Sequence, residues 1–236
     1  MQNYLPGFQS VPSFDSFDAS QLLRRSSALK PPVQRLYVRG NLAEGLDRPR
    51  VGVIGSRSAD PDTQNWTRSL AGQLAARGAV VVSGGARGID GQAHWGAIDC
   101  LGVTWWVSGT AVDKVYPAEH RSLLREILAG RGALISEIGP GGRSGRYLFR
   151  LRNRLIAALV DALVVVAAGP RSGSLSTVSY ALEQGCPVYV PAQGVVPETA
   201  GIAELRDHPK IIALSRENLF TELSKRGGDC IAPRRS

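Results

Sequence analysis

Apolar and polar positions along this chain alternate between two periods. Short runs that are apolar at nearly every position mark strands buried on both faces, and longer segments with apolar or small residues three and four apart mark helices. Residues 50–54 form the first such run. Residues 62–77 carry helical spacing and stop at Gly78, a residue type that commonly ends helices. A strand over 79–82 and a helix over 89–100 follow, then a strand over 103–107 and a helix over 117–128 that ends before Gly130. The strand at 133–135 leads into the glycine- and arginine-rich loop 139–145, residues 148–159 read as a helix, and 162–167 is the most apolar strand. Residues 175–184 make a helix closed by Gly185, and 188–190 make a strand between prolines. A weaker pair comes last, a strand over 210–214 and a helix over 217–225.

Strand and helix alternating through short loops require right-handed parallel crossovers, which gives an α/β, doubly wound, mostly parallel sheet. Such an extended Rossmann-like fold would occupy residues 49–226 as a single domain. Residues 1–48 lack a sustained period; they hold Tyr4, Phe8, Phe14 and Phe17, a short helix over 16–28 and a Lys30-Pro31-Pro32 break, and read as a short N-terminal arm. Residues 227–236 read as a disordered tail.

Charge changes the picture more than composition does. The 236 residues hold 28 Lys+Arg against 20 Asp+Glu, a net charge of +8, while the hydrophobic fraction of 43% is ordinary. Lys30, Lys114, Lys210 and Lys225 are the only lysines, so the excess is arginine, the cation suited to bidentate phosphate contact. Cys100, Cys186 and Cys230 have no metal-ligand spacing, and His94, His120 and His208 are scattered. No metal and no cofactor is expected. The first residues show no basic and apolar signal-peptide regions, and no apolar stretch reaches membrane-spanning length, so a cytoplasmic protein with no membrane contact is expected.

Glycine-punctuated loops follow the strands at the edge where open α/β sheets bind ligands. Gly55-Ser56-Arg57 offers backbone amides, a hydroxyl and a guanidinium to a phosphate. Ser83-Gly84-Gly85-Ala86-Arg87-Gly88-Ile89-Asp90 combines glycines for positive φ with Asp90, read as a helix cap, and His94, read as a packed helix residue. Ser108-Gly109-Thr110 follows the third strand. Five arginines and no acid lie between Arg143 and Arg154; Arg150, Arg152 and Arg154 cannot share one solvated stripe, so some must turn inward to a groove or a carboxylate. Arg171-Ser172-Gly173-Ser174 precedes a helix whose N-terminus would attract an anion. Glu137 reads as an arginine partner, and Trp105-Trp106 as core. No GxGxxG, no acid after the second strand and no GxxxxGK[ST] occur, which disfavours dinucleotide and P-loop chemistry.

Taken in order, these stretches resemble the DNA-processing protein A family, DprA or Smf. The matching residues are Leu36-Tyr37-Val38-Arg39-Gly40-Asn41-Leu42, Val53-Ile54-Gly55-Ser56-Arg57, Val82 through Asp90 with Ala93-His94, Val115-Tyr116-Pro117, Ser136-Glu137, Phe149 through Ala157, and Arg171-Ser172-Gly173-Ser174 with Thr177. The resemblance covers about residues 33–195, the Rossmann-like core only, and departs at Arg150, where the family usually has proline. It implies a non-enzymatic protein that binds single-stranded DNA in a basic pocket, forms a homodimer and delivers incoming DNA to the RecA recombinase in natural transformation and homologous recombination. Ser56, Arg57, Arg87, Arg152 and Asn153 would hold successive phosphates, with Lys114 and Arg171 at the rim. Gly55, Ser83, Gly84, Gly88, Arg154, Ser172, Gly173 and Ser174 would complete the site.

The alternative is a nucleotide-binding sensor or phosphoribohydrolase of a related Rossmann-like family. Those enzymes carry a glutamate shortly after a Gly-Gly-x-Gly-Thr turn. Setting that turn on Gly173-Ser174 places Thr177 at the glutamate position, which removes the acid-base group that glycosidic chemistry needs.

Overall fold

The computed structural model describes residues 14–215 other than 144 and 171, together with residues 221–222. β1 (Asp15–Asp18) runs into a single helical turn, α1 (Ala19–Leu22), capped by the Asp18 carboxylate, which accepts from Ser20 N at 2.8 Å. The chain turns extended at Leu23 and returns as β2 (Arg35–Gly40), antiparallel to β1. The helix expected over 16–28 is therefore broken. Asp18 starts it only at Ala19, and Arg24 is pulled off axis by a bond from its N–H to Ala158 O at 2.8 Å and an ion pair to Asp161 at 3.2 Å.

From β3 (Arg50–Gly55) the alternation holds through α2 (Pro61–Ala76), β4 (Val80–Ser83), α3 (Ile89–Asp99), β5 (Thr104–Ser108), α4 (Arg121–Ala129) and β6 (Ala133–Ser136). It continues with α5 (Arg146–Leu159), β7 (Ala162–Ala167), α6 (Gly173–Glu183), β8 (Val188–Pro191), α7 (Ala200–Arg206) and β9 (Ile211–Leu214). Asp60 caps α2, accepting from Thr63 N at 2.9 Å, and Pro61 fits the first helical turn, where an N–H has no partner to lose. Of the helix expected over 217–225 only residues 221–222 are described, and they are helical; the tail 227–236 lies outside the described residues.

The strands form one nine-stranded sheet in the order β1-β2-β6-β5-β4-β3-β7-β8-β9, parallel from β6 through β9 and antiparallel where β1 and β2 join. Residues 14–48 thus add two strands to the sheet edge. Leu36 and Val38 alternate into the core from β2. The main sheet starts in its middle at β3, grows one way through β4, β5 and β6, then crosses over to β7 and grows the other way. β3 and β7 are neighbours at the reversal, and a crevice opens beyond their carboxyl ends.

Side chains alternate across the sheet. Val51, Val53 and Val164 pack under α2 and α3, whereas Ile54, Leu163 and Val165 pack against α5 and α6. Trp105 and Trp106 point to opposite faces and are both buried, as expected of core residues. Trp105 packs on Arg50, whose guanidinium carbon lies 4.6 Å from the indole centroid.

Arg50 is a second staple for the N-terminal segment. Its side chain is 1% exposed and donates to Leu22 O, to Leu46 O at 3.0 Å and to Leu159 O at 3.4 Å. Burial lowers its pKa to about 10, so it stays charged at neutral pH. Arg50→Ala strands three carbonyls and opens a void beside Trp105, and a loss of about 3 kcal/mol in urea unfolding is expected, with protease cuts appearing first before residue 35.

Candidate anion-binding cleft at the β3–β7 reversal

A cleft of about 1050 Å³ occupies the crevice beyond β3 and β7. Its walls come from the loop after β3, the start of α5 and the start of α6. Gly55 closes β3 where a Cβ would sit 2.8 Å from Ile89 and 2.9 Å from Ala167 O, so only glycine lets the chain turn there. Ser56 Oγ accepts from Ser58 N at 3.2 Å, which curls the loop so that Ser56 and the exposed Arg57 line the cleft. Gly88, at φ +69°, lies against this loop: Ile89 N donates to Ser56 O at 3.2 Å, and a Cβ on Gly88 would meet that oxygen at 2.5 Å.

Across the cleft, α6 begins with its N-terminus opening into the space. Ser172 caps it, accepting from Ser174 N at 3.3 Å, and its hydroxyl lies 2.7 Å from Ser174 Oγ. Gly173 has open space where a side chain would be. Unsatisfied amides and the helix dipole make such an N-terminus favourable for an anion. Asn153 fixes its position, donating to Gly173 O at 3.1 Å and Ser176 Oγ at 2.8 Å.

The floor is charged. Arg152 is 9% exposed; its Nη1 donates to Val107 O, and its buried Nε has no partner. Beside it Asp90, 6% exposed, accepts from Ala86 N at 3.3 Å and closes the glycine loop. Gly84 makes room for both: a Cβ there would be 2.3 Å from Asp90 Oδ2 and 2.9 Å from the Arg152 guanidinium. Burial pushes the Asp90 carboxyl up to about 6 against the pull of Arg152, and burial lowers Arg152 to about 10. At neutral pH both are ionised for most of the time.

The structure therefore brings together Gly55, Ser56, Arg57, Arg152, Asn153, Ser172, Gly173 and Ser174, with Gly84 and Gly88 shaping the cleft from behind. Four other expected residues go elsewhere. Ser83 is fully buried and its hydroxyl donates to Val53 O at 2.6 Å, tying β4 to β3. Lys114 donates to Gly142 O at 2.9 Å and holds down the loop before α5. Arg87 is exposed, pairs with Glu119, and lines a smaller pocket of about 140 Å³ alongside Trp106. Arg154, with a side chain 1% exposed, forms a bidentate pair with Glu137 at 2.6 and 2.9 Å and stays out of the cleft. Arg171 lies outside the described residues.

The inward turn expected of the arginine run thus splits, with Arg152 reaching the cleft and Arg154 a carboxylate. Asp90 is not the cap of α3: Gly88 holds that position and Asp90 sits in the first turn, facing back to Ala86. His94 is a packed residue as expected. It is fully buried, stacks on Trp106 at 5.7 Å, lies 2.7 Å from Thr104 Oγ1 and is kept neutral by burial, which lowers it to about 4. Sequence reasoning missed Arg146, Arg150, Phe149 and Tyr116 as cleft-lining residues. The first three sit three and four apart on one face of α5, a spacing that was available as a signal. Phe149 packs on Tyr116, ring centroids 5.0 Å apart, and against Gly109. Among the described residues no cluster of His, Cys, Asp and Glu forms a metal site, and no helix is long and apolar enough to cross a membrane.

The family model of DNA recombination-mediator protein A matches residues 16–228. The chain is 36% identical over 197 residues to Protein Smf of Synechocystis, a match that covers 82% of this chain and 49% of that protein. It is 43% identical over 157 residues to the putative DNA processing protein DprA of Mycobacterium tuberculosis, covering 66% of this chain and 40% of that one. The chain thus spans about half or less of the length of these curated relatives. Among solved structures, the single-stranded-DNA-binding DNA processing protein A from Helicobacter pylori superposes with a TM-score of 0.81 at 29% identity, covering 94% of this chain and 99% of that one.

The Arg154–Glu137 pair should behave as structure rather than site. Glu137→Ala leaves a buried guanidinium uncompensated and is expected to cost about 3–5 kcal/mol in urea unfolding. Arg154→Met made on that background should recover a large part of the loss.

Proposed function

Because the chain belongs to the DNA recombination-mediator protein A family, we propose that the cleft at the β3–β7 reversal binds the backbone of single-stranded DNA. One observation carries this reading: Arg57, Arg146, Arg150 and Arg152 converge with the α6 N-terminus on a single open cleft at the strand ends. Arginines from two distant segments and one helix dipole, all aimed into the same space, suit a row of phosphates. An open cleft of about 1050 Å³ suits a flexible strand better than a rigid duplex. The likeness to the Helicobacter pylori protein supports the same ligand. Phosphate contact is indifferent to base identity, so little sequence preference follows.

In this reading the protein acts without catalysis, in the cytoplasm and as a homodimer, protecting incoming single strands and delivering them to the RecA recombinase in transformation and homologous recombination. The family's description as a DNA recombination mediator supports the recombination step. The phosphoribohydrolase alternative finds little support in the cleft. Glu137 is taken by Arg154, Thr177 lines the wall at α6, and among the described lining residues the one carboxylate is Asp90, set against Arg152.

The test is quantitative. With three or four phosphates neutralised, log K for a short oligothymidylate should fall with log salt at a slope of roughly −2 to −3. Arg57→Ala, a change at an exposed side chain, should weaken binding about tenfold or more with little change in thermal stability. Replacing Arg234 and Arg235 in the tail should change affinity by less than about threefold. Equal affinity for duplex and single strand, or a tail pair that matters more than Arg57, would refute the assignment.

A further inference from the structure

A carboxylate in the floor of an anion cleft is an expense that a purely attractive site would avoid. Asp90 lies 6% exposed at the base of the cleft, and its Oδ2 and the Arg152 guanidinium both crowd the position that a side chain on Gly84 would take. The two are not hydrogen-bonded to each other. Arg152 spends Nη1 on Val107 O and leaves a buried Nε without a partner, while Asp90 is held by the backbone N–H groups of Ala86 and Gly55. They interact through space, and the arginine keeps capacity for another acceptor.

We propose that Asp90 is the internal counter-ion of Arg152, and that a phosphate arriving in the cleft takes its place, so that the anion is bound together with one proton. The proposal rests on the phosphate-binding reading of the cleft. The chemistry balances simply: the phosphodiester stays a monoanion, Arg152 stays charged, and Asp90 goes from carboxylate to neutral acid by taking a proton from solvent. The net charge of the floor is then the same before and after. Without protonation, the Asp90 carboxylate and the phosphate would compete for the same buried Arg152 guanidinium at the floor.

Among the described residues, Asp90 is the carboxylate that lines the cleft. From α5 it faces Arg152, from the loop after β3 it faces Arg57, and from the glycine loop it meets the Ala86 amide. His94, one turn further along α3, faces Thr104 and Trp106 instead, and His120, ahead of α4, has its Nδ1 3.1 Å from Gly85 O and its ring edge-on to Trp106. Burial already holds the Asp90 carboxyl near 6 before any ligand arrives. A neighbouring negative charge favours the protonated form further. The sign follows: the bound state holds its proton to a higher pH than the free state, so affinity rises as pH falls from about 8 to about 6 and levels off below that.

Binding of a rhodamine-labelled oligothymidylate to the full chain, followed by anisotropy at fixed ionic strength, reads this directly, since thymine does not titrate in the window. Wild type should bind about tenfold tighter at pH 6 than at pH 8. Asp90→Asn keeps an acceptor for the Ala86 amide without the charge; it should bind at pH 8 about as tightly as wild type does at pH 6, with the pH slope gone. His120→Gln should retain the slope. Calorimetry of wild type in two buffers of different ionisation enthalpy should show uptake of about half a proton or more per strand bound near pH 7, and it decides the matter alone if Asp90→Asn does not fold. A slope that persists in Asp90→Asn, a variant that binds more weakly than wild type at both pH values, or binding without proton uptake overturns the role of Asp90 and leaves the DNA-binding reading standing. No binding at any pH overturns both.

Discussion

Parallel strands cannot be joined by hairpins, so each strand from β3 onward is reached by a crossover over one face of the sheet, and the direction of growth decides which face. Growth from β3 runs through α2 on one face, while growth from β7 runs through α6 on the other. At the β3–β7 junction the two exits diverge, and nothing in the chain path fills the gap between them. Everything distinctive about this protein is arranged around that gap. Gly55 and Gly88 let the first loop turn tightly, Asn153 sets the start of α6, and α5, itself the crossover between β6 and β7, brings Arg146, Arg150 and Arg152 across the opening.

Three of the buried arginines show how the rest of the fold manages charge. Arg50 is held by three carbonyls and an indole face and ties the N-terminal strands to the core. Arg154 is held by the bidentate Glu137 carboxylate. Each of the three keeps a buried Nε without a hydrogen-bond partner. Arg152 alone of them borders the cleft, with a single bond, to Val107 O, and a carboxylate nearby but unbonded. Arg50 and Arg154, each with several bonds, stabilise structure; Arg152, with one, is positioned to gain from a ligand. A buried charge kept short of partners lowers stability and raises the gain on binding, a balance found at sites rather than in cores.

The main sheet was legible because strands buried on both faces leave unbroken apolar runs such as Ala162–Ala167, and because Gly78 and Gly185 mark the helix ends. β1 and β2 were not. They sit at an edge and are four and six residues long; β2 pairs with β6, a contact far away in sequence, and β1 pairs with β2. At the site, backbone-driven features could be read: the glycine loops, the α6 N-terminus and the inward turn of the arginine run. Side-chain destinations could not. Ser83 and Arg87 belong to the same motif, yet strand alternation buries Ser83 against Val53, while Glu119, distant in sequence, draws Arg87 to the neighbouring pocket. Asp90 looked like a cap because capping is a local rule; its actual partner is the amide of Ala86, and the charge it faces arrives on α5.

Amide hydrogen exchange with and without a saturating short oligothymidylate tests the central claim most directly, because it locates the contact without altering any residue. The account predicts new protection concentrated at residues 55–58, 84–90, 146–153 and 172–174, the segments that meet at the β3–β7 reversal, with α2 and α4 unchanged. Protection confined to the basic termini, with the loops after β3 and β7 exchanging as before, would contradict it.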